Sequence, residues 1–105
     1  MNAPYTVLHQ LGTQVEVPPD GILSRTLLAT EGIRVVLFAF SAGQTLSDHT
    51  SPMEAVMHFL QGEAEVTLGE QKVTAQAGTW IRMEPGLKHA IAVHTSCVME
   101  LILVK

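Results

Sequence analysis

Charge is scarce in this chain: Asp, Glu, Lys and Arg make up 15% of its 105 residues, while 47% are hydrophobic. Ordinary globular domains carry about 25% charged residues. One small core cannot take in so much apolar surface, so a homodimer is expected, with a wide, dry pocket as the other way to absorb the surplus. Basic residues are few as well. Arg25, Arg34, Lys72, Arg82, Lys88 and Lys105 are scattered and the formal net charge is −4, so no basic face meets a phosphate backbone and nucleic acid is excluded as a partner.

Cysteine is nearly absent, and Cys97 alone cannot form an internal disulfide. Met1-Asn2-Ala3-Pro4-Tyr5 lacks the basic start and apolar stretch of a secretion signal, so a cytoplasmic location is expected. Long apolar runs are missing too. The longest, Val35 to Phe40 and Leu101 to Val104, fall far short of the roughly 20 residues of a spanning helix, so no membrane association is expected. The length excludes a two-lobed enzyme: residues 1–105 read as a single domain, with 1–13 as a loosely attached N-terminal arm.

What the chain does have is turns. Pro18-Pro19-Asp20-Gly21, Glu31-Gly32, Ala42-Gly43, Ser51-Pro52, Gln61-Gly62, Gly69-Glu70, Ala77-Gly78, Pro85-Gly86 and His94-Thr95-Ser96 break it into short segments rich in Val, Ile, Thr and Phe. No window sustains a helical apolar period, so the class is all-β. The clearest hairpin runs Glu63 to Leu68, turns at Gly69-Glu70 and returns from Gln71 to Ala75, with Gly placed as a type II′ turn prefers. Its Ala64, Val66 and Leu68 face inward. Ile33 to Phe40 and Leu101 to Val104 are apolar on both faces, which predicts cover by the core on one side and by another subunit or the N-terminal arm on the other. Such a chain folds as a jelly-roll barrel or an immunoglobulin-like sandwich, and periodicity does not choose between them.

The choice comes from spacing. Gly43, five residues, His49, then Ser51, Ala55 and, after six residues, Gly62 resemble the first cupin motif, G-x5-H-x-H-x3,4-E-x6-G. Gly78, five residues, Glu84, Pro85, Gly86, two residues, His89 and then Val93 resemble the second, G-x5-P-x-G-x2-H-x3-N. The 15 residues between the motifs hold the hairpin, as in compact cupins. The resemblance implies a single antiparallel jelly-roll β-barrel with His49 and His89 pointing into its mouth. It also implies a metal site, which in cupins uses two histidines and a glutamate from the first motif and one histidine from the second. Here Ser51 and Ala55 stand at two of those positions, so a divalent transition metal is an optional cofactor held by His49 and His89.

Two imidazoles make a poor site alone, because bound transition metals usually keep at least three protein ligands. Glu100, an acid within the apolar last strand, is the candidate third ligand if it faces the cavity; the competing expectation is a solvated or interface-paired carboxylate. Glu54 adjoins the lost ligand position but alternates to the other face, and His58 is read as an outward or interface residue. His9 and His94 are read as surface residues and Cys97 as a packed thiol. The resemblance implies a pocket with His49, Ser51, Ala55 and His89, and by alternation Met53, Met57 and Phe59 share the phase of Ala55. Met83 with Ile81, or Trp80 with Arg82, completes it from the second motif. Methionines adapt to irregular apolar molecules, so a small aliphatic or aromatic ligand is expected over a sugar phosphate.

Three functions follow. The first is a dimeric small-molecule-binding module polarised by His49 and His89. The second is a metal-dependent enzyme, a dioxygenase or isomerase of a small organic substrate. The third is a structural or sensory interaction module.

Overall fold

The computed structural model describes residues 3–105. After one 3-10 turn at Leu11–Thr13, nine strands follow: β1 (Ile22–Ala29), β2 (Ile33–Phe40), β3 (Thr45–His49), β4 (Glu54–Gln61), β5 (Glu63–Leu68), β6 (Gln71–Gln76), β7 (Trp80–Met83), β8 (His89–Val93) and β9 (Cys97–Val104). They form a five-stranded sheet in the order β1-β2-β9-β4-β7 and a four-stranded sheet in the order β3-β8-β5-β6. All strand pairs are antiparallel, and apart from the β1–β2 and β5–β6 hairpins each connection crosses from one sheet to the other. This is the all-β jelly roll that the motif spacing implies.

Strand alternation decides which side chains meet between the sheets. Phe40 of β2, Cys97, Met99 and Leu103 of β9, Ala55, Met57 and Phe59 of β4, and Ile81 and Met83 of β7 supply the core from one sheet; Ala64, Val66, Ala75, Ile91 and Val93 supply it from the other. Of the two phases left open for β7, Ile81 and Met83 face inward, while Trp80 and Arg82 are exposed. The β5–β6 hairpin turns where expected. Gly69 has φ 62° and Glu70 has no positive φ, as a type II′ turn requires.

The opposite face of the five-stranded sheet is also partly covered. Leu37 and Ala39 of β2 and Val98 of β9 lie in the outward phase yet are no more than 1% exposed. The arm covers them: the Gly12 carbonyl accepts from Gln61 Nε2 of β4 and the Gln14 carbonyl from Arg25 Nη1 of β1, so the chain crosses the sheet between those strands. The arm is therefore held from Gly12 onward, slightly before the expected boundary at residue 13, while residues 3–10 are exposed throughout.

One glycine is dictated by contact. A Cβ on Gly62 would lie 2.1 Å from the Ser96 carbonyl oxygen and 2.6 Å from Cys97 Sγ, and its φ of +89° disfavours any other residue. Gly62 thus lets the β4–β5 corner press onto the start of β9.

Candidate functional site

His49 closes β3 and His89 opens β8, and the two are cross-strand partners after a register shift between Leu46 and His49. A one-residue slip would turn His49 away from the barrel, so this bulge sets the site. The strands are fixed at this end by the loops around them. The Gly86 N–H donates to the Ser51 carbonyl at 2.8 Å and the Gly69 N–H to the Lys88 carbonyl at 2.8 Å.

The two rings lie edge to face, with centroids 4.2 Å apart. His89 Nδ1 is 2.9 Å from the Leu87 carbonyl and His49 Nδ1 is 3.1 Å from the Ser47 carbonyl. A carbonyl only accepts, so in each ring Nδ1 carries the hydrogen and donates it. A ring that is neutral then presents a lone pair at Nε2, and the two Nε2 atoms face one another within hydrogen-bond distance, at 3.1 Å. His89 is buried and His49 exposed, so the pair sits at the rim, open to solvent on one side. Burial lowers the His89 pKa below its ordinary 6.5; the Leu87 hydrogen bond opposes this and the charge of His49 adds to it. His89 therefore favours the neutral, lone-pair form.

The partly buried apolar side chains Leu46, Met53, Leu68 and Leu87 border the core at this level. Leu68 is the cross-strand partner of His89, and Leu46 that of Ile91 one step inward. Asp48 and Lys88, the chain neighbours of the two histidines, form an exposed ion pair at 3.2 Å. Sequence reasoning missed that pair, although pairing 49 with 89 also brings 48 near 88.

The residues expected to line the pocket separate by depth. Ala55, Met57, Phe59 and Met83 are at most 2% exposed, deep in the core. Met53 is partly exposed at the rim. The Ser51 hydroxyl accepts from the Met53 N–H at 3.1 Å, which uses it as a turn former.

Glu100 is not the third ligand. It is the β9 partner of Leu37 and His58, in the phase opposite to Met99 and Leu101, so its side chain lies on the outer face of the sheet. There it pairs with His58 Nδ1 at 3.1 Å. Glu54, likewise outward, holds Arg82 at 2.6 Å. Cys97 is fully buried, and burial, aided by the negative charge of Glu63, pushes its thiol up to about 11. His9 and His94 are exposed, as expected.

The donor set decides how far a metal fits. Both imidazoles have the tautomer a metal ligand needs, with the second N–H held by a backbone carbonyl. Ala55 offers no donor, Ser51 is committed to its turn, and no group of three His, Cys, Asp or Glu side chains gathers anywhere among the described residues. Two donors do not make a resident metal centre.

Comparison with known proteins agrees with this architecture. The cupin domain family matches residues 36–105, and the chain belongs to that family. It is similar to a conserved protein of unknown function from Streptococcus pyogenes, with 30% identity and a TM-score of 0.85 over 100% of this chain and 92% of that one. A cupin superfamily protein from Desulfitobacterium hafniense is 25% identical, at TM-score 0.86 over 99% of this chain and 95% of that one. The DMSP lyase DddQ from Ruegeria pomeroyi shares the fold alone, at 17% identity and TM-score 0.76 over 81% of this chain and 47% of that one. A search of curated proteins gave no match. No helix among the described residues is long and apolar enough to cross a membrane.

Proposed function

We propose that this cupin binds a small molecule at the barrel mouth, with a hydroxyl or N–H of the ligand donating to the His49–His89 pair and its apolar part lying against Leu46, Met53, Leu68 and Leu87. The observation that carries this reading is the pair of Nε2 lone pairs 3.1 Å apart. Carbonyls at Leu87 and Ser47 accept from the far side of each ring, so when both rings are neutral each Nε2 is an acceptor and neither donates to the other. An unmade hydrogen bond in a half-buried place costs about 1–3 kcal/mol, and a ligand donor removes that cost. The rim side chains add apolar contact at about 25 cal/mol per Å² covered.

The test is imidazole 15N NMR during a screen of small alcohols, phenols and primary amides. Binders are expected to shift the Nε2 resonances of His49 and His89 and to lose affinity in His49→Ala and His89→Ala variants. Binders that leave both resonances in place would refute the reading.

The Nδ1–H tautomer also favours a second reading, a metal-assisted enzyme acting on a small organic substrate that itself supplies the remaining metal donors. Metal analysis of untagged protein tests it. Stoichiometric metal abolished by either alanine variant supports it, and metal content indifferent to both removes it.

A further inference from the structure

Ionisable side chains also gather on the outer face of the five-stranded sheet, away from the mouth. The register sets Trp80 of β7, His58 of β4 and Glu100 of β9 in one row across three strands, and side chains directly opposite one another start from Cβ atoms about 4.5–5.5 Å apart. His58 Nδ1 is 3.1 Å from Glu100 Oε1. An ionised carboxylate only accepts, so Nδ1 carries the hydrogen and donates it. In the neutral ring Nε2 then holds a lone pair, and it lies across the ring from Nδ1, turned away from β9. Among the described residues His58 is bonded through Nδ1 alone. Its side chain is 33% exposed, so a ligand can reach the free nitrogen.

Trp80 stands on the other side of His58, 59% exposed, on a strand that pairs with β4 alone. The face of an indole ring attracts cations more strongly than any other aromatic side chain. The charges nearby point the same way. Arg82 and Glu54, one step along the same two strands, pair at 2.6 Å and cancel. Arg25 lies two strands from Glu100, with Leu37 between them, and gives Nη1 to the Gln14 carbonyl. While His58 is neutral, Glu100 thus leaves this row with one unmatched negative charge.

We infer that Trp80, His58 and Glu100 form a second binding site, for a small organic ammonium ion whose N–H donates to His58 Nε2 while its alkyl-substituted nitrogen lies on the Trp80 indole. Each part of the site selects against another class of ligand. An anion meets the Glu100 carboxylate. A neutral alcohol makes the hydrogen bond but gains nothing from the indole face or the charge, and a quaternary ammonium has no N–H to give. Glu100 is a positioning residue, because it fixes the His58 tautomer from behind. The site is separate from the mouth, whose histidines belong to the other sheet.

Trp80 is the single tryptophan of the chain, so its fluorescence reports this site alone. The full chain is titrated at pH 8 with trimethylammonium chloride against sodium chloride of the same ionic strength. Tetramethylammonium, which lacks the N–H, and tert-butanol, which lacks the charge, serve as the two comparison probes. Trimethylammonium is expected to give a saturable change in Trp80 emission and to shift the His58 Nε2 resonance, with at least about threefold weaker binding of the other two. Trp80→Leu, followed by imidazole 15N NMR, and His58→Gln, followed by fluorescence, should each weaken trimethylammonium by at least about threefold. Glu100→Gln keeps an acceptor for Nδ1 and removes the charge, so it should narrow the preference for trimethylammonium over tert-butanol. Circular dichroism should report an intact barrel in each variant. No response beyond that of matched salt, equal responses to the three probes, or shifts at His49 and His89 in place of His58 would each overturn the inference.

Discussion

Glu100 and His58 meet at 3.1 Å on the outer face of the five-stranded sheet, whereas the His49–His89 pair belongs to the four-stranded sheet. The separation follows from alternation: Met99 and Leu101 take the inward positions of β9, so Glu100 between them cannot. Its side chain is 11% exposed and that of His58 33%, which makes this a shielded contact.

Glu100→Gln should therefore act on stability and leave the mouth alone. It keeps the shape and weakens one hydrogen bond to a charged group, at a cost of about 1–2 kcal/mol. Urea unfolding measures the loss. The Nε2 resonances of His49 and His89 should stay where they are, and a shift in either would contradict the placement of Glu100.

The lowered pKa of His89 sets a pH dependence. Folded His89 holds its proton less tightly than the unfolded chain, whose value is the ordinary 6.5. The unfolded state thus binds more protons as the pH falls, and its contribution to stability, present in full above 6.5, is lost as the pH drops through 6.5 toward the folded value. Urea midpoints should fall between pH 7.5 and pH 5. His89→Gln should flatten that slope, and an unchanged slope in the variant would assign it to another group.

Much of this architecture was legible in the sequence, because glycine and turn spacings report backbone geometry directly. Gly62 and Gly69 stand where the corner and the hairpin need them, and the resemblance carried by the motif spacing implied that His49 and His89 both point into the barrel mouth. The site's details were less legible. The choice between Trp80 with Arg82 and Ile81 with Met83 rests on the phase of a four-residue strand, too short for its pattern to decide. Glu100 sits in a strand apolar on both faces, where alternation leaves no mark, so its side could be read only from the register. The tautomers of His49 and His89 depend on the Ser47 and Leu87 carbonyls, and carbonyl direction is not written in residue identity.

Gly62→Ala should be among the most damaging single substitutions. The new methyl group meets the Ser96 carbonyl and Cys97 Sγ well inside van der Waals distance, at a backbone φ of +89°. Backbone atoms cannot step aside as a flexible side chain would, so a loss of about 2–5 kcal/mol is expected. Gly43→Ala also sits at positive φ, but a Cβ there meets nothing within 4 Å. It should cost about 1–2 kcal/mol, from backbone strain alone. Equal losses in the two variants would deny the contact at Gly62.

Cys97 links that contact to chemistry. Its thiol is fully buried under Gly62, and its pKa rises from 9.0 to about 11, through burial first and Glu63 second. At pH 8 the folded chain thus holds about a hundredfold less thiolate than the unfolded one. Alkylation by iodoacetamide should be slow in the native protein and should follow opening of the β4–β5 corner. Because the folded state favours the neutral thiol, its contribution to stability is present below pH 9 and lost as the pH rises through 11. Gly62→Ala, by forcing the corner off Cys97, should speed alkylation at pH 8 in proportion to the stability it removes. Alkylation as fast in the wild-type fold as in the variant would show that the thiol is not sealed by this corner.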